Sequence, residues 1–142
     1  MNKFFDAARL RALIATTALA AVCGSAFGQD VKVTLLGVEE TPPVTSTATG
    51  TGIITIADDK SVSGSLKTTG IEGTVAHIHL GAPGKAGPPI ITLTKGDAGM
   101  WSVPAGSKLT DEQYASFKAG ELYVNVHSAE HKPGEIRGQL KP

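Results

Sequence analysis

The stretch Val75-Ala76-His77-Ile78-His79-Leu80-Gly81 is the basis for interpreting the whole chain. In a β-strand, successive side chains point to opposite faces of the sheet. Ala76, Ile78 and Leu80 then face a hydrophobic core, while His77 and His79 face the other way. Two strand rises separate the histidines by about 7 Å at Cα. A strand of this kind is a compact way to direct two nitrogen ligands at one metal ion.

A second strand near the C-terminus shows the same alternation. In Glu121–His127 the apolar side chains are Leu122, Val124 and Val126, and the polar face carries Tyr123, Asn125 and His127. The returning segment Glu135–Leu140 places Ile136 and Leu140 inward and Glu135, Arg137 and Gln139 outward. If these two segments pair as a hairpin, their polar side chains share one outer surface.

The remaining pattern consists of short strands and turns. Strands are predicted at 29–38, 52–57, 61–67, 90–93 and 100–103. A helix is predicted near 110–119, with Thr110 as N-cap, Gln113 completing a capping box and Gly120 ending the helix. This order of elements predicts an all-β fold, a Greek-key-like antiparallel β-sandwich or barrel with one short helix.

Residues 1–28 have the three-part layout of a secretory signal peptide. A basic start is followed by an apolar run, 12–23, which is too short to span a membrane as a helix. Cleavage is expected after Gly28, with Ala26 as the alternative. A lipoprotein reading through Cys23 is less favoured because Val22 precedes it. The mature protein is then a single domain, residues 29–142, that is periplasmic or secreted.

Composition excludes several partner classes. The 142-residue chain has 13 basic and 13 acidic residues, and cleavage leaves 10 and 12 because Lys3, Arg9, Arg11 and Asp6 are removed. A net charge near −2 gives no electrostatic reason to expect nucleic acid or an anionic membrane as a partner. The mature chain contains no membrane span, and without Cys23 it forms no disulfide.

Three strings carry a resemblance to a known family. They are HIHLGAPGKAGPPI at 77–90, LTDEQYASFKAGELYVNVH at 109–127 and PGEIRGQL at 133–140. They resemble the CHRD domain, named after chordin, and the resemblance covers residues 30–140. It implies a secreted β domain, and by analogy with multidomain relatives a non-catalytic module that binds another exported protein. It implies no established activity.

A looser resemblance concerns the copper site of copper/zinc superoxide dismutases. On that pattern His77, His79 and His127 resemble copper ligands, and Arg137 resembles the anion-guiding arginine. The zinc site has no counterpart, because residues 80–100 contain no histidine and only Asp97 as an acidic residue. The disulfide of that family is also impossible in the mature chain.

Three neutral imidazoles suit Zn²⁺ or Cu²⁺, and intrinsic affinity favours copper. The predicted metal ligands are His77, His79, His127 and His131. His131 is either a fourth ligand or a solvated loop residue. The alternative for the strand histidines is that they only form hydrogen bonds on a polar face.

Tyr123, Asn125 and Arg137 are predicted to support the histidines or to bind an anion. Metal-bound histidines usually need such hydrogen-bonding partners. Tyr123 and Asn125 are otherwise ordinary strand-face residues. Arg137 alternatively pairs with Glu135 or Glu121, or bonds to Asn125.

These observations order the function hypotheses. An exported protein that binds copper, or possibly zinc, comes first. A non-catalytic interaction module is the alternative, and a copper-only enzyme of the superoxide dismutase type comes third. A binding protein is favoured over an enzyme, because no motif of nucleophilic or phosphate chemistry is present.

Overall fold

The computed structural model of the protein describes residues 27–142. Apart from Phe27 and Gly28, the predicted signal peptide lies outside the described residues. Both cleavage alternatives and the lipoprotein alternative at Cys23 therefore stay predictions. Within residues 27–142, no helix is long and apolar enough to cross a membrane.

Nine β-strands and one α-helix form the described part of the chain. In chain order they are β1 (Gly28–Leu36), β2 (Thr49–Ala57), β3 (Val62–Thr69), β4 (Gly73–Leu80), β5 (Pro89–Thr92), β6 (Thr94–Lys95), β7 (Met100–Ser102), α1 (Asp111–Lys118), β8 (Leu122–Ser128) and β9 (Ile136–Leu140). All the predicted strands are present, but the strand predicted at 29–38 ends at Leu36, because Gly37–Glu39 forms a short 3₁₀ helix. The two-residue β6 is not among the predicted strands, because Thr94 follows the predicted strand 90–93 and the sequence indicates a turn from Lys95 to Gly99.

The strands form one antiparallel sheet in the order β5-β4-β8-β9-β1-β2-β3-β7-β6. The first and last strands of that order, β5 and β6, are consecutive in the chain and lie within residues 89–95. Strand β5 pairs with β4, and β6 pairs with β7. Between them, the Leu93 N–H donates to the Ala76 carbonyl at 2.9 Å. The sheet therefore nearly closes into a barrel. The predicted all-β antiparallel class with one short helix is confirmed.

The apolar sides of the strands meet inside the barrel, as the alternation predicts. Ala76 and Ile78 of β4 and the apolar residues of β8 and β9 are buried in one core cluster. Trp101 of β7 and Phe117 of α1 belong to the same cluster. The apolar residues of β4 and β8 determine which side of these strands faces the core. The histidines, which alternate with them, therefore lie on the opposite side of the sheet.

Helix α1 has the predicted capping box. The Gln113 N–H donates to Thr110 Oγ1 at 3.2 Å, and the Thr110 N–H donates to Gln113 Oε1 at 3.0 Å. The chain leaves the helix through Gly120 at φ +74°, a left-handed conformation that suits glycine. Phe117 packs the helix onto the core.

The side of β4, β8 and β9 that faces away from the core is called the polar face below. It carries His77, His79, Tyr123, Asn125, His127, Arg137 and Gln139. The prediction of an outer surface is right about the side and wrong about exposure, because Tyr123, Asn125 and Arg137 are only 3 %, 1 % and 2 % exposed. Residues 81–88, Glu40–Thr41 and 132–134 contact this face. Alternation determines which side a residue faces, but contains no information about loops that fold over that side.

Candidate metal centre

Strand register places three histidines close together on the polar face. In the antiparallel pair β4–β8, His79 lies opposite Tyr123 and His77 lies opposite Asn125. His127 lies opposite Val75, and is therefore diagonal to His77. Directly and diagonally opposed side chains on one face are within reach of each other. The pairing of β4 with β8 thus assembles the group.

The three imidazoles converge as predicted. One potential ligand nitrogen from each of His77, His79 and His127 lies within 4.8 Å of the other two. His77 Nδ1 and His127 Nε2 are 3.1 Å apart. The His77 ring stands at 87° to the His79 ring and at 83° to the His127 ring. Metal–nitrogen bonds of about 2.0–2.1 Å require ligand nitrogens roughly 3–4 Å apart, so a small contraction suffices.

Backbone carbonyls orient two of the rings. His79 Nδ1 lies 2.8 Å from the Gly87 carbonyl oxygen, and His127 Nδ1 lies 2.6 Å from that of Lys132. A carbonyl oxygen only accepts hydrogen bonds, so each Nδ1 carries the proton and each Nε2 keeps its lone pair. Metal-bound histidines commonly donate their other N–H in this way.

The Nε2 atom of His79 is buried and has no hydrogen-bond partner among the described residues. Leaving a buried acceptor unpaired costs about 1–3 kcal/mol. One nitrogen of this ring converges with His77 and His127, and the other ring nitrogen, Nδ1, is already bonded to the Gly87 carbonyl. An ion bound between the three rings would give Nε2 a partner.

Burial favours the neutral form of two of the rings. His79 is 7 % exposed, and His77 and His127 are half-buried. Burial is the largest cause that lowers the pKa of His77 and of His79, and His127 lowers both further, while the Gly87 carbonyl and the Asn125 side chain oppose the decrease at His79. Since only a neutral imidazole has a lone pair for a metal, these lowered pKa values favour binding.

Tyr123 and Arg137 extend the site away from the other two histidines. The Tyr123 ring stacks on His79, with centroids 4.7 Å apart and an interplanar angle of 9°. The Arg137 guanidinium carbon lies 3.5 Å from the centroid of Tyr123. The Tyr123 hydroxyl also accepts from the Gly87 N–H at 3.2 Å, so Tyr123 supports the loop that orients His79.

Asn125 connects the site to a buried acid. Its Nδ2 donates to the Pro133 carbonyl at 3.3 Å and to Glu40 Oε1 at 3.4 Å, while its Oδ1 is buried without a partner among residues 27–142. Burial raises the pKa of the Glu40 carboxyl, and the hydrogen bond from Asn125 opposes that rise. Asn125 thus fixes the position of Glu40 relative to the polar face.

The chain matches the CHRD domain over residues 31–140. It belongs to the CHRD domain family. Comparisons with curated proteins and with solved structures gave no match. The family assignment rests on most of the described chain and includes β4, β8 and β9, which carry the three histidines.

Arg137 of this CHRD domain bonds neutral oxygens. Its guanidinium donates to the carbonyls of Ala82 and Lys85 at 3.0 and 2.9 Å. It also donates to Thr41 Oγ1 at 3.3 Å and to Gln139 Oε1 at 3.1 Å. Within residues 27–142 it forms no salt bridge, so the ion-pair alternative with Glu135 or Glu121 is wrong. Its anion-binding role stays a prediction.

His131 lies outside the converging group of the CHRD domain. Its backbone N–H donates to Ser128 Oγ at 3.1 Å, and it lines a cavity of about 160 Å³ together with Glu40 and Pro133. The loop that carries it contacts the polar face through the Lys132 carbonyl, but it does not bring the His131 side chain into the group of three rings. His131 is therefore no part of the site in this structure, and its role as a fourth ligand stays a prediction.

Three partners of the site are not predicted by the sequence. These are the carbonyls of Gly87 and Lys132 and the carboxyl of Glu40. Backbone oxygens leave no signal in residue type. Glu40 lies before a Pro/Thr/Ser-rich loop, and nothing in its spacing connects it to Asn125, which lies 85 residues later.

The metal-free CHRD domain is expected to lose stability as the pH falls below about 6.5. Burial lowers the pKa of His77 and His79 in the folded state, while the unfolded chain keeps the ordinary value of 6.5. Below 6.5 the unfolded state binds protons that the folded state does not bind, so the free energy of unfolding decreases. Urea titrations between about pH 8 and pH 5 measure this effect.

Glu40 contributes with the opposite sign at lower pH. Its pKa is raised above 4.5 in the folded state, so its contribution to stability increases as the pH falls through that raised value. The double variant His77→Gln, His79→Gln is the control, and it should lose the decrease that begins near 6.5. An unfolding midpoint of the wild type that stays constant across the whole range would contradict the prediction.

Proposed function

We propose that this CHRD domain binds one metal ion through His77 Nδ1, His79 Nε2 and His127 Nε2, with copper preferred over zinc. The observation that carries the proposal is the buried, unpartnered Nε2 of His79, whose ring is one of three that converge. Two of the three lone pairs are directed by hydrogen bonds from the opposite ring nitrogens to backbone carbonyls. These two nitrogens are therefore held in place before an ion arrives, whereas His77 Nδ1 donates its proton to His127 Nε2 and would have to lose that proton to bind an ion.

The donor set determines which ions fit. Three imidazole nitrogens suit Zn²⁺ and copper, whereas Mg²⁺ and Ca²⁺ require oxygen ligands. Copper has the higher intrinsic affinity for nitrogen ligands among these divalent ions. Because His77 and His127 are half-buried, one coordination position remains open towards solvent for water or a small ligand.

Export is the second part of the proposal. It is supported by the three-part layout of residues 1–28 and by the occurrence of CHRD domains in extracellular proteins. An exported protein meets copper outside the cytosolic systems that bind it tightly. The folded core contains no cysteine, so the fold is compatible with an oxidising compartment.

Calorimetric titration of the metal-free protein with Cu²⁺ and Zn²⁺ tests the proposal. We expect one ion per chain with a Kd below about 10 μM, equal to about 7 kcal/mol. The matched control is His131→Ala, which removes a histidine outside the group and should leave the affinity unchanged. Failure of both metals to bind the wild type would refute the proposal and leave the interaction module, with another exported protein as partner.

Dismutase activity is not part of the proposal. On the pattern of the superoxide dismutases, an accessible arginine is needed to attract the superoxide anion. Arg137 is buried, and its guanidinium is hydrogen-bonded to Ala82, Lys85 and Thr41.

A further inference from the structure

Three stacked side chains join a positive charge to the candidate metal centre. Arg137 on β9, Tyr123 on β8 and His79 on β4 form this column, with the guanidinium 3.5 Å from the Tyr123 centroid and the two rings 4.7 Å apart. All three residues are buried. Water therefore screens the charge much less than it would at the surface.

The guanidinium charge is not neutralised by an ion pair. All four of its hydrogen-bond acceptors are neutral oxygens, from Ala82, Lys85, Thr41 and Gln139. The buried acid of this region, Glu40, bonds to Asn125 instead; burial raises the pKa of its carboxyl, whereas the hydrogen bond from Asn125 and the charge of Arg137 lower it. The charge of Arg137 would therefore repel a metal ion bound at the three histidines.

We propose that Arg137, acting through Tyr123, determines ion charge specificity by shifting the three-histidine site towards a monovalent ion such as Cu⁺ and away from divalent ions. This inference rests on the proposed function. Repulsion by a fixed cation doubles when the charge of the bound ion doubles. At a distance of about 10 Å and an effective dielectric constant of about 20, Coulomb's law gives about a tenfold change in the ratio of monovalent to divalent affinity.

Arg137 also positions a loop of the site. The ratio of monovalent to divalent ion affinity distinguishes this role from the effect of the Arg137 charge. Its bonds to Ala82 and Lys85 hold the loop whose Gly87 carbonyl orients His79. Loosening this loop would weaken binding of both kinds of ion. A geometric defect at His79 reduces both affinities and leaves their ratio unchanged. A change in the charge of Arg137 affects the divalent ion more than the monovalent ion and therefore changes the ratio.

Affinities for Cu⁺ under anaerobic conditions and for Zn²⁺, each measured against a competing chelator, test the proposal. In Arg137→Gln the Cu⁺/Zn²⁺ affinity ratio should fall about tenfold relative to the wild type. Lys85→Gln is the matched control. It removes an equal charge from an exposed side chain of the same loop, where solvent screens it, and should leave the ratio unchanged.

A second variant covers the case in which Arg137→Gln does not fold. Citrulline at position 137, introduced by ligation of a synthetic C-terminal peptide, keeps the planar stacking group and most donors but removes the charge. It should lower the ratio by the same factor. A wild-type ratio in either folded variant overturns this inference alone, whereas a wild-type protein that binds no metal overturns the proposed function.

Discussion

Substitution His79→Ala is expected to weaken Cu²⁺ binding at least ~100-fold, because it removes a ligand, and loss of only a supporting partner already costs up to that much. The effect should be largest at this position because His79 is the most buried of the three rings. Its Nε2 is also the nitrogen without another partner. Calorimetric titration with Cu²⁺ measures the loss, and circular dichroism verifies that the barrel is folded.

A shape-conserving variant separates the nitrogen from the ring. His79→Phe keeps an aromatic ring that stacks on Tyr123 but has no lone pair to donate. His79→Phe should lose Cu²⁺ binding as His79→Ala does. If His79→Ala loses binding and His79→Phe keeps it, the loss in His79→Ala is an effect of packing and not of the missing nitrogen. Wild-type affinity in both folded variants would remove His79 from the ligand set.

Much of this site could be predicted because strand alternation is a strong constraint. Ile78 and Val124 belong to the core, so His77, His79 and His127 must share the opposite side once β4 and β8 pair. The cover over that side could not be predicted. It depends on loop segments whose contacts are made by backbone atoms, such as the carbonyls of Gly87 and Lys132.

Arg137 shows where residue type alone is insufficient. The sequence indicates a cation beside polar strand residues, and both an anion and a carboxylate partner are reasonable expectations for it. The structure instead gives it Ala82 and Lys85 carbonyls and the Tyr123 ring, which are neutral. Only the path of the 81–88 loop produces this outcome, and glycines and prolines in that loop indicate a turn without fixing its direction.

The fold follows the same division between local and long-range information. The helix is predictable because Thr110 and Gln113 form a local capping box. The strands are predictable because β-branched and apolar residues alternate within each of them. The barrel seam was not predicted, because Thr94–Lys95 gains its strand character from pairing with β7.

That seam is the site of the largest expected effect on stability, in the variant Trp101→Ala. Trp101 is 2 % exposed and packs against β4, where a Cβ added to Gly73 would lie 2.7 Å from its Cζ2 atom. Its Nε1 donates to Thr68 Oγ1 at 3.4 Å. Removing a buried indole costs about 3–5 kcal/mol, through lost burial and the cavity left behind.

Urea unfolding followed by circular dichroism measures this loss, since the variant has no tryptophan fluorescence. A decrease of 3–5 kcal/mol is a large part of the roughly 5–15 kcal/mol typical of a domain. Met100→Ala is the matched control, because Met100 is the neighbouring residue, is 38 % exposed, and should change stability by no more than about 0.5 kcal/mol. Equal unfolding free energies for Trp101→Ala and Met100→Ala would contradict the assignment of Trp101 to the seam. Where Trp101→Ala is folded it should still bind Cu²⁺, because Trp101 packs in the core and the three histidines lie on the polar face.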